Sequence, residues 1–440
     1  MLRKLGGATP EARRRVVVLA DQAASSLSNV VVAVLVARSV DSASEFGAFG
    51  LAMVVYGLAL GGVRALVGET FINSRSADEP EVRRHLLGEV IGATVCVGTV
   101  VSLLVALAAG VVGGSATPAL LALSLTLPLV LVQDTLRYVF VIDRAGLALL
   151  IDLVWLAAVV AALLFAPSDA GPGWFVLAWG ISGGVAGLLG CAVSGADLRT
   201  AHWWRWLVRS RQTGSRFFAE YVTAQASSQV PLLLLGGISG LAVLGAVRAS
   251  QVFYGPLNTI HGGVYLAVVP EGLRARDDPR RLHRLIRWTS AGLVAFAAAW
   301  TVAGLWLPDD VGRALFGESW PGAADIMLPM GLAMVAGGAI SGGLLGVRSL
   351  GDAQASLRSR LLSAPGQVVL PLVGAVVAGA AGFAVGMAAS RVVAAWIWWT
   401  AFRAHAFRSP HDDLLGDDSD DVEPSPRQHE VTAAAERGNG

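Results

Sequence analysis

The stretch FGAFGLAMVVYGLALGGVRAL, from Phe46 to Leu66, runs for twenty-one residues with one charge, Arg64, and one polar ring, Tyr56. That length matches the roughly 20 apolar residues an α-helix needs to cross the hydrocarbon core of a bilayer. Lipid admits only helices and closed barrels, because every backbone N–H and C=O must be satisfied internally. The run is continuous rather than alternating, which selects the helix. Working outward in windows of about 19 residues, eleven further runs of this kind fall at 16–37, 87–110, 117–142, 147–166, 174–194, 215–237, 241–269, 288–307, 323–347, 355–378 and 381–402. The whole chain of 440 residues is 54% hydrophobic and 15% charged, with mean hydropathy +0.61. Soluble domains carry charge at about a quarter of positions, so a water-soluble architecture is excluded. The expected class is an all-α polytopic membrane protein with twelve transmembrane spans.

Arginines set the orientation. Counting alternate loops, one face receives Lys4 and the arginines from Arg3 to Arg15, then Arg75, Arg83, Arg84 and Arg144. It also receives five arginines from Arg199 to Arg216, six from Arg274 to Arg287, and Arg348, Arg358, Arg360, Arg403 and Arg408. The other face has Arg38 and Arg313, a bias of twenty-five to two. The positive-inside rule then puts both termini in the cytoplasm of a cell with the chain in its plasma membrane. A miscounted span would scramble the alternation. The basic start and apolar run of the first span resemble a secretory signal. However, the run is interrupted by Asp21, Gln22, Ser25, Ser26, Ser28 and Asn29, so it is read as retained. From 409 to 440 the composition turns acidic and polar, which reads as a disordered cytoplasmic tail. Cys96 and Cys191 lie in apolar runs without Cys or His partner spacing, so neither a disulfide nor a metal site is expected. No cofactor or nucleic-acid partner is expected either.

The two halves echo each other. Ala65-Leu66-Val67-Gly68-Glu69 ends span 2, and Ala267-Val268-Val269-Pro270-Glu271 ends span 8. Asp21 with Ser25, Ser26 and Asn29 in span 1 corresponds to Glu220 with Ser227, Ser228 and Gln229 in span 7. Phe46-Gly47-Ala48 stands opposite Leu244-Gly245-Ala246. Six spans per half, in the same orientation, make a parallel repeat about an axis normal to the membrane, with a cleft between two lobes. The expected organisation is a segment 1–15, an N-lobe 16–205, a C-lobe 206–408 and the tail.

Ionisable side chains inside spans are costly and form the default functional hypothesis. Span 1 offers Asp21, span 2 Arg64 and Tyr56, span 7 Glu220, Gln225, Ser228 and Gln229 ahead of Pro231, a kink candidate. Span 8 offers Arg248, Gln251, Tyr254, Asn258 and His261. These four spans are the natural cleft walls. A guanidinium fork binds phosphate bidentately, and Arg64 lies nearer the cytoplasm than Arg248, so an anionic head group can be handed between them. The plainer reading pairs each arginine with a carboxylate, or lets Arg64 snorkel. A second constellation, Gln133, Asp134, Arg137 and Tyr138 with Asp152 and Trp155, lies outside the cleft set. Asp134 and Arg137 are three apart, so one turn can hold them as an ion pair. That reads as a structural brace, with a proton or sodium coupling site as the alternative. His261 reads as a packing histidine and Arg391 as snorkelling from the outer start of span 12. Trp203, Trp204, Trp206, Trp396, Trp398 and Trp399 read as interfacial belts, and Gly183-Gly184, Gly262-Gly263 and Gly342-Gly343 as points of close helix approach.

The run Leu35-Val36-Ala37-Arg38-Ser39-Val40 followed by Glu45-Phe46-Gly47-Ala48-Phe49 resembles the outer turn between helices 1 and 2 of polysaccharide-exporting flippases, the Wzx-like branch of the multidrug/oligosaccharidyl-lipid/polysaccharide (MOP) superfamily. Gln133-Asp134-Thr135-Leu136-Arg137-Tyr138 with Asp152-Leu153-Val154-Trp155 is similar to a pattern of its actinobacterial members. The resemblance extends from about Val16 to Arg408. It implies two six-helix lobes, alternating access, and movement of an undecaprenyl-pyrophosphate-linked oligosaccharide to the outer leaflet, with Arg64 and Arg248 at the positions of head-group arginines. Implied partners are the lipid-linked saccharide, membrane lipids, and a glycan polymerase or glycosyltransferases. The helices 13 and 14 of peptidoglycan-precursor flippases are missing, which argues against that substrate.

Two other classes compete. A multidrug or small-cation antiporter on the same scaffold would rely on Asp21, Glu220 and Asp134 rather than on arginines. A membrane enzyme would place acids or His in a large outer loop, yet the longest, Pro308 to Gly322, offers only Asp309, Asp310 and Glu318, which read as solvated. The reading is therefore a transporter and not an enzyme.

Overall fold

The structure is a computed structural model, and it describes residues 28–74, 80–198 and 202–406. Asp21, the amino-terminal segment and the acidic tail lie outside the described residues. Fourteen helices are present among them: α1 (Ser28–Ser39) and α2 (Ala43–Ile72), then α3 (Pro80–Val112), α4 (Ala116–Asp143), α5 (Ala145–Leu164), α6 (Pro172–Ser194), α7 (Trp203–Ser239), α8 (Leu241–Phe253), α9 (Gly255–Arg274), α10 (Pro279–Leu305), α11 (Asp309–Phe316), α12 (Trp320–Asp325), α13 (Met327–Ser349) and α14 (Ala353–Ala406).

The described helices fit twelve spans in two lobes, the first span being described only from Ser28. Span 8 is α8 and α9 with a break at Tyr254, where Pro256 supplies no N–H to the previous turn. Spans 11 and 12 are the two arms of α14, which reverses at Ala378 and Gly379. Gly379 has φ 55 and ψ −130, a conformation open to glycine. The arms lie backbone to backbone, since a Cβ on Gly374 would fall 2.0 Å from the carbonyl oxygen of Gly382. Spans end on local signals: Ser42 Oγ accepts from Glu45 N at 3.3 Å while Glu45 accepts from Asp41 N at 3.0 Å, a variant of the capping box. Asp278 likewise accepts from Arg280 N and Arg281 N to start α10.

Helices α2 to α6 pack on one another, as do α9, α10, α13 and α14. The helix α7 bridges the groups. Its first half packs on α2 and α3, and its second half reaches α14, where Ser239 donates to the carbonyl of Ala375 at 3.1 Å. It is continuous in secondary structure through Pro231.

Several local expectations are corrected. Trp206 and Trp398 are core residues, 2% and 4% exposed, and Trp399 donates to the Ala339 carbonyl at 2.9 Å, so the belt reduces to Trp203, Trp204 and Trp396, which are exposed. Gly342 and Gly343 do meet neighbouring helices closely, but Gly262 and Gly263 face open space, with nothing within 4 Å of an added Cβ. Arg391 does not snorkel. It sits twelve residues past the turn residue Gly379, about 18 Å into the span, and its Nη1 donates to the Ala333 carbonyl at 3.2 Å. The loop 308–322 folds into α11 and α12, where Trp320 Nε1 donates to Asp309 at 3.0 Å, and Asp309, Asp310 and Glu318 are exposed, as the solvated reading expects.

Candidate functional site: a gap closed at one end

The arginine-poor end is sealed where α2 crosses α8. A Cβ on Gly47 would fall 1.8 Å from the Leu241 carbonyl oxygen, and one on Gly245 would fall 2.2 Å from that of Ala43. Only hydrogen atoms fit between these backbones. The segment 309–325 caps the crossing: Gly317 rests on the Ala37 carbonyl and Gly322 on Ala246. Trp320, 2% exposed, lies under Gly312.

Below the seal the two sides separate. α9 packs on α10 and α13 and makes no extensive contact with α2 or α7 among the described residues. α7 instead follows α2, with Tyr221 Oη donating to the carbonyls of Leu58 and Gly57 at 3.1 and 3.3 Å. Among the described residues, the resulting gap opens toward the arginine-rich end, between α2 and α7 on one side and α9 on the other. Asn258 is exposed on α9 beside the bare glycines 262 and 263; Glu220 and Ser228 are exposed on α7. Ser228 Oγ donates to Gln225 Oε1 at 3.1 Å.

Arg248 marks the closed end. Its aliphatic stem lies against Gly50, and its Nη1 donates to Gln251 Oε1 at 2.9 Å. It has no carboxylate partner among the described residues. A guanidinium in a low-dielectric setting that meets only a neutral amide keeps most of its donors for an anion.

Arg64 is placed differently. Its Nε and Nη2 donate to both oxygens of Asp134 at 2.6 and 2.5 Å, and the guanidinium lies 5.3 Å from the Tyr138 ring centroid. Tyr138 Oη donates to Glu69 at 2.5 Å. Between Arg64 and Glu69 the helix takes one π turn, Arg64–Gly68, a feature concentrated at functional positions. Arg64 lies fourteen residues beyond Gly50, about 21 Å along the axis, so the two predicted head-group arginines belong to separate places.

The pairing of the second constellation is also corrected. Asp134 is held by Arg64, and Arg137 Nε donates to Asp152 at 2.6 Å, with Gln133 Nε2 3.4 Å from the same carboxylate. The Asp134–Arg137 pair suggested by spacing is replaced by pairs to α2 and α5. In an α-helix three residues apart allows a pair, but neighbouring helices offer bidentate geometry. Glu89, 3% exposed and not singled out from sequence, accepts from Arg209 at 2.5 Å. Its position inside an apolar run was the signal. Glu69 and Tyr221 gave no signal beyond type.

The compensation is therefore asymmetric. Arg64, Arg137 and Arg209, which pack on the N-lobe, each meet a carboxylate, whereas Arg248 and Arg391 on the C-lobe meet an amide and a carbonyl.

Solved structures of a flippase and of transporters share this fold. The lipid II flippase MurJ, in an inward closed conformation, matches with TM-score 0.69 and 12% identity over 91% of this chain and 89% of MurJ. An inward-facing multidrug resistance MATE family transporter of the MOP superfamily matches with TM-score 0.67 and 14% identity over 89% and 98%. A mutant of VcmN, a MATE transporter of Vibrio cholerae, matches with TM-score 0.56 and 15% identity over 89% and 95%. At these identities the likeness is one of fold, and it is to transporters and a flippase rather than to enzymes. No protein-family model and no curated protein sequence matches the chain.

Proposed function

We propose that the protein is a flippase of the plasma membrane, with its arginine-rich end and both termini in the cytoplasm. It moves an undecaprenyl-pyrophosphate-linked oligosaccharide to the outer leaflet by alternating access, for polysaccharide biosynthesis. The observation that carries this reading is Arg248: a guanidinium with no carboxylate partner among the described residues, directly under the seal, at the closed end of the gap. A diphosphate head group is the ligand whose paired oxygens match that fork. Glycosyltransferases and a glycan polymerase are the partners that would supply and consume such a substrate.

The MATE likeness favours a second reading, a multidrug or small-cation antiporter. Cation binding needs an available carboxylate near the gap, yet Asp134 and Asp152 are held by arginines, leaving Glu220 as the described candidate. Reconstitution with a fluorescent lipid-linked glycan separates the two. Flipping that is abolished by Arg248→Ala supports the flippase. Absence of flipping by the wild type, together with drug sensitivity of a deletion strain, establishes the antiporter instead.

A further inference from the structure

The inward face of α10 is set by Leu282, Ile286 and Ser290, all buried. Arg280, Arg284 and Arg287, spaced i, i+4 and i+7, line up on the other side of the helix, where all three are exposed. Arg274 and Arg276 nearby pair with Glu271 and Asp277 at 2.7 and 3.6 Å. The three arginines of the stripe have no carboxylate partner among the described residues, and Arg287 meets the ring of Trp288, 5.9 Å from its guanidinium. Like charges at these spacings repel. They also stand in the first turns of a helix, where the macrodipole is itself positive. Asp278 at the helix start is engaged by the backbone N–H groups of Arg280 and Arg281, so the stripe calls for an anion from elsewhere.

The end of α14 lies against this stripe. His283, between the inward face and the arginines, stacks on Phe402 with ring centroids 5.9 Å apart at 18°, and it meets Trp399 edge-on at 6.3 Å. Arg403 lies 5.9 Å from the same Trp399 ring and adds a fourth exposed guanidinium. Leu282, Ile286, Phe402 and Ala406 share one buried cluster. The chain therefore leaves α14 beside the arginines. Six residues past Ala406 the sequence turns acidic: seven carboxylates lie from Asp412 to Glu423, and no Lys or Arg occurs from 409 to 426. Six residues span up to about 20 Å, whereas Arg280 and Arg287 are only about 10 Å apart along the helix. The acidic segment can thus reach the whole stripe.

We propose that the acidic segment Asp412–Glu423 docks on Arg280, Arg284, Arg287 and Arg403, as an intramolecular strap across the arginine-rich end of the C-lobe. Both partners lie at one end of the molecule by direct contact of α10 with α14, so the strap depends neither on the orientation of the chain nor on what it transports. The competing occupant is an anionic lipid head group, which basic residues at a membrane surface attract. The tether favours the segment. A partner held on a short linker acts at an effective concentration in the millimolar range, and several exposed ion pairs that are weak one by one then act together.

The test uses the full chain in phosphatidylcholine nanodiscs, in a background lacking Cys96 and Cys191, with spin labels on Pro279→Cys and Ser419→Cys. Double electron–electron resonance is expected to show a short-distance population at low salt that disappears in ~1 M salt, where charges are screened beyond about 3 Å. Combining Arg280→Gln, Arg284→Gln and Arg287→Gln is expected to lower the ratio of docked to undocked segment about tenfold, or ~1.4 kcal/mol. Combining Asp417→Asn, Asp418→Asn, Asp420→Asn and Asp421→Asn is expected to do the same from the other side, and it decides the matter if the arginine variant does not fold. Arg274→Gln with Arg276→Gln, which removes cations already paired locally, is expected to leave the distances unchanged. A wild-type distribution at low salt no shorter than that at high salt overturns the proposal. An equal loss in the Arg274 and Arg276 variant also overturns it, since net charge rather than the stripe would then be the cause. Loss of the short distances when phosphatidylglycerol is mixed into the discs does so too, because the stripe would then belong to the membrane.

Discussion

Gly47 and Gly245 meet reciprocally. Each glycine's Cα faces the carbonyl of the residue four before the other, Leu241 for Gly47 and Ala43 for Gly245. A contact that maps onto itself when its partners are exchanged is what a two-fold axis between the helices produces. The duplicated halves therefore touch at equivalent positions, and the axis runs through the seal. A side chain at either position separates the crossing. In a background lacking Cys96 and Cys191, a cysteine replacing Gln251 is expected to resist a membrane-impermeant maleimide from the arginine-poor side. Adding Gly245→Leu is expected to speed labelling about tenfold, the factor corresponding to 1.4 kcal/mol of lost preference for the closed end. Equal labelling rates would show that the crossing is not the seal.

Arg64 and Arg248 are expected to fail differently when replaced. Arg64→Ala leaves Asp134, whose side chain is 7% exposed, without its bidentate partner. That costs roughly 1–3 kcal/mol, the value for a stranded buried group, at the low end because the Arg64 side chain is 32% exposed. Adding Asp134→Ala is expected to restore much of the loss, a positive coupling in a double-mutant cycle. Arg248→Ala, with no carboxylate to strand among the described residues, is expected to leave thermal stability within about 0.5 kcal/mol and to abolish transport. Thermal unfolding in detergent beside a transport assay reads both. Additive losses in the cycle would remove the pair from the account.

The spans were legible because the bilayer imposes a length and an apolar continuity that each helix satisfies by itself. Spans 11 and 12 show how far this reaches: they form one uninterrupted helical trace apart from Ala378 and Gly379, yet two apolar runs separated at 379–380 were readable. The charge pairs were not legible, since the partner of Arg64 is seventy residues away on a helix whose rotation the sequence does not state. Spacing within one helix suggested Asp134 with Arg137, and the packing of α2 and α5 against α4 decided otherwise. Likewise, Gly262 and Gly263 looked like the tight pair Gly342 and Gly343, but α9 turns them to the gap. A small residue permits close approach without requiring it.

Gly379 tests the reversal of α14 through conformation alone. Its φ of 55 and ψ of −130 exclude residues with a Cβ, while the nearest heavy atom to an added Cβ, Val243 Cγ2, is 4.0 Å away. Gly379→Ala is therefore expected to destabilise by about 1–3 kcal/mol through strain without a clash. Gly366→Ala, within the same helix and in open space, is expected to be neutral or to stabilise by up to about 1 kcal/mol. Unfolding in mixed micelles with increasing sodium dodecyl sulfate gives the comparison. Equal effects at both sites would mean that the turn is not held by its backbone conformation.

Arg137 and Asp152 distinguish a brace from a coupling site. Their side chains are 11% and 3% exposed, and the pair joins α4 to α5. Trp155, one turn further along α5, in turn donates to the Trp179 carbonyl on α6 at 3.4 Å. Removing one member strands a buried charge, which costs about 3–5 kcal/mol, whereas replacing both by apolar side chains of similar volume is near neutral. Asp152→Asn is expected to destabilise strongly, and Asp152→Leu combined with Arg137→Met to recover most of the stability. If the pair is only a brace, transport recovers with stability, because a packed apolar contact holds α4 against α5 equally well. If the recovered double variant stays inactive, the carboxylate takes up and releases a cation during the cycle, and the dependence of wild-type transport on a proton or sodium gradient then identifies which.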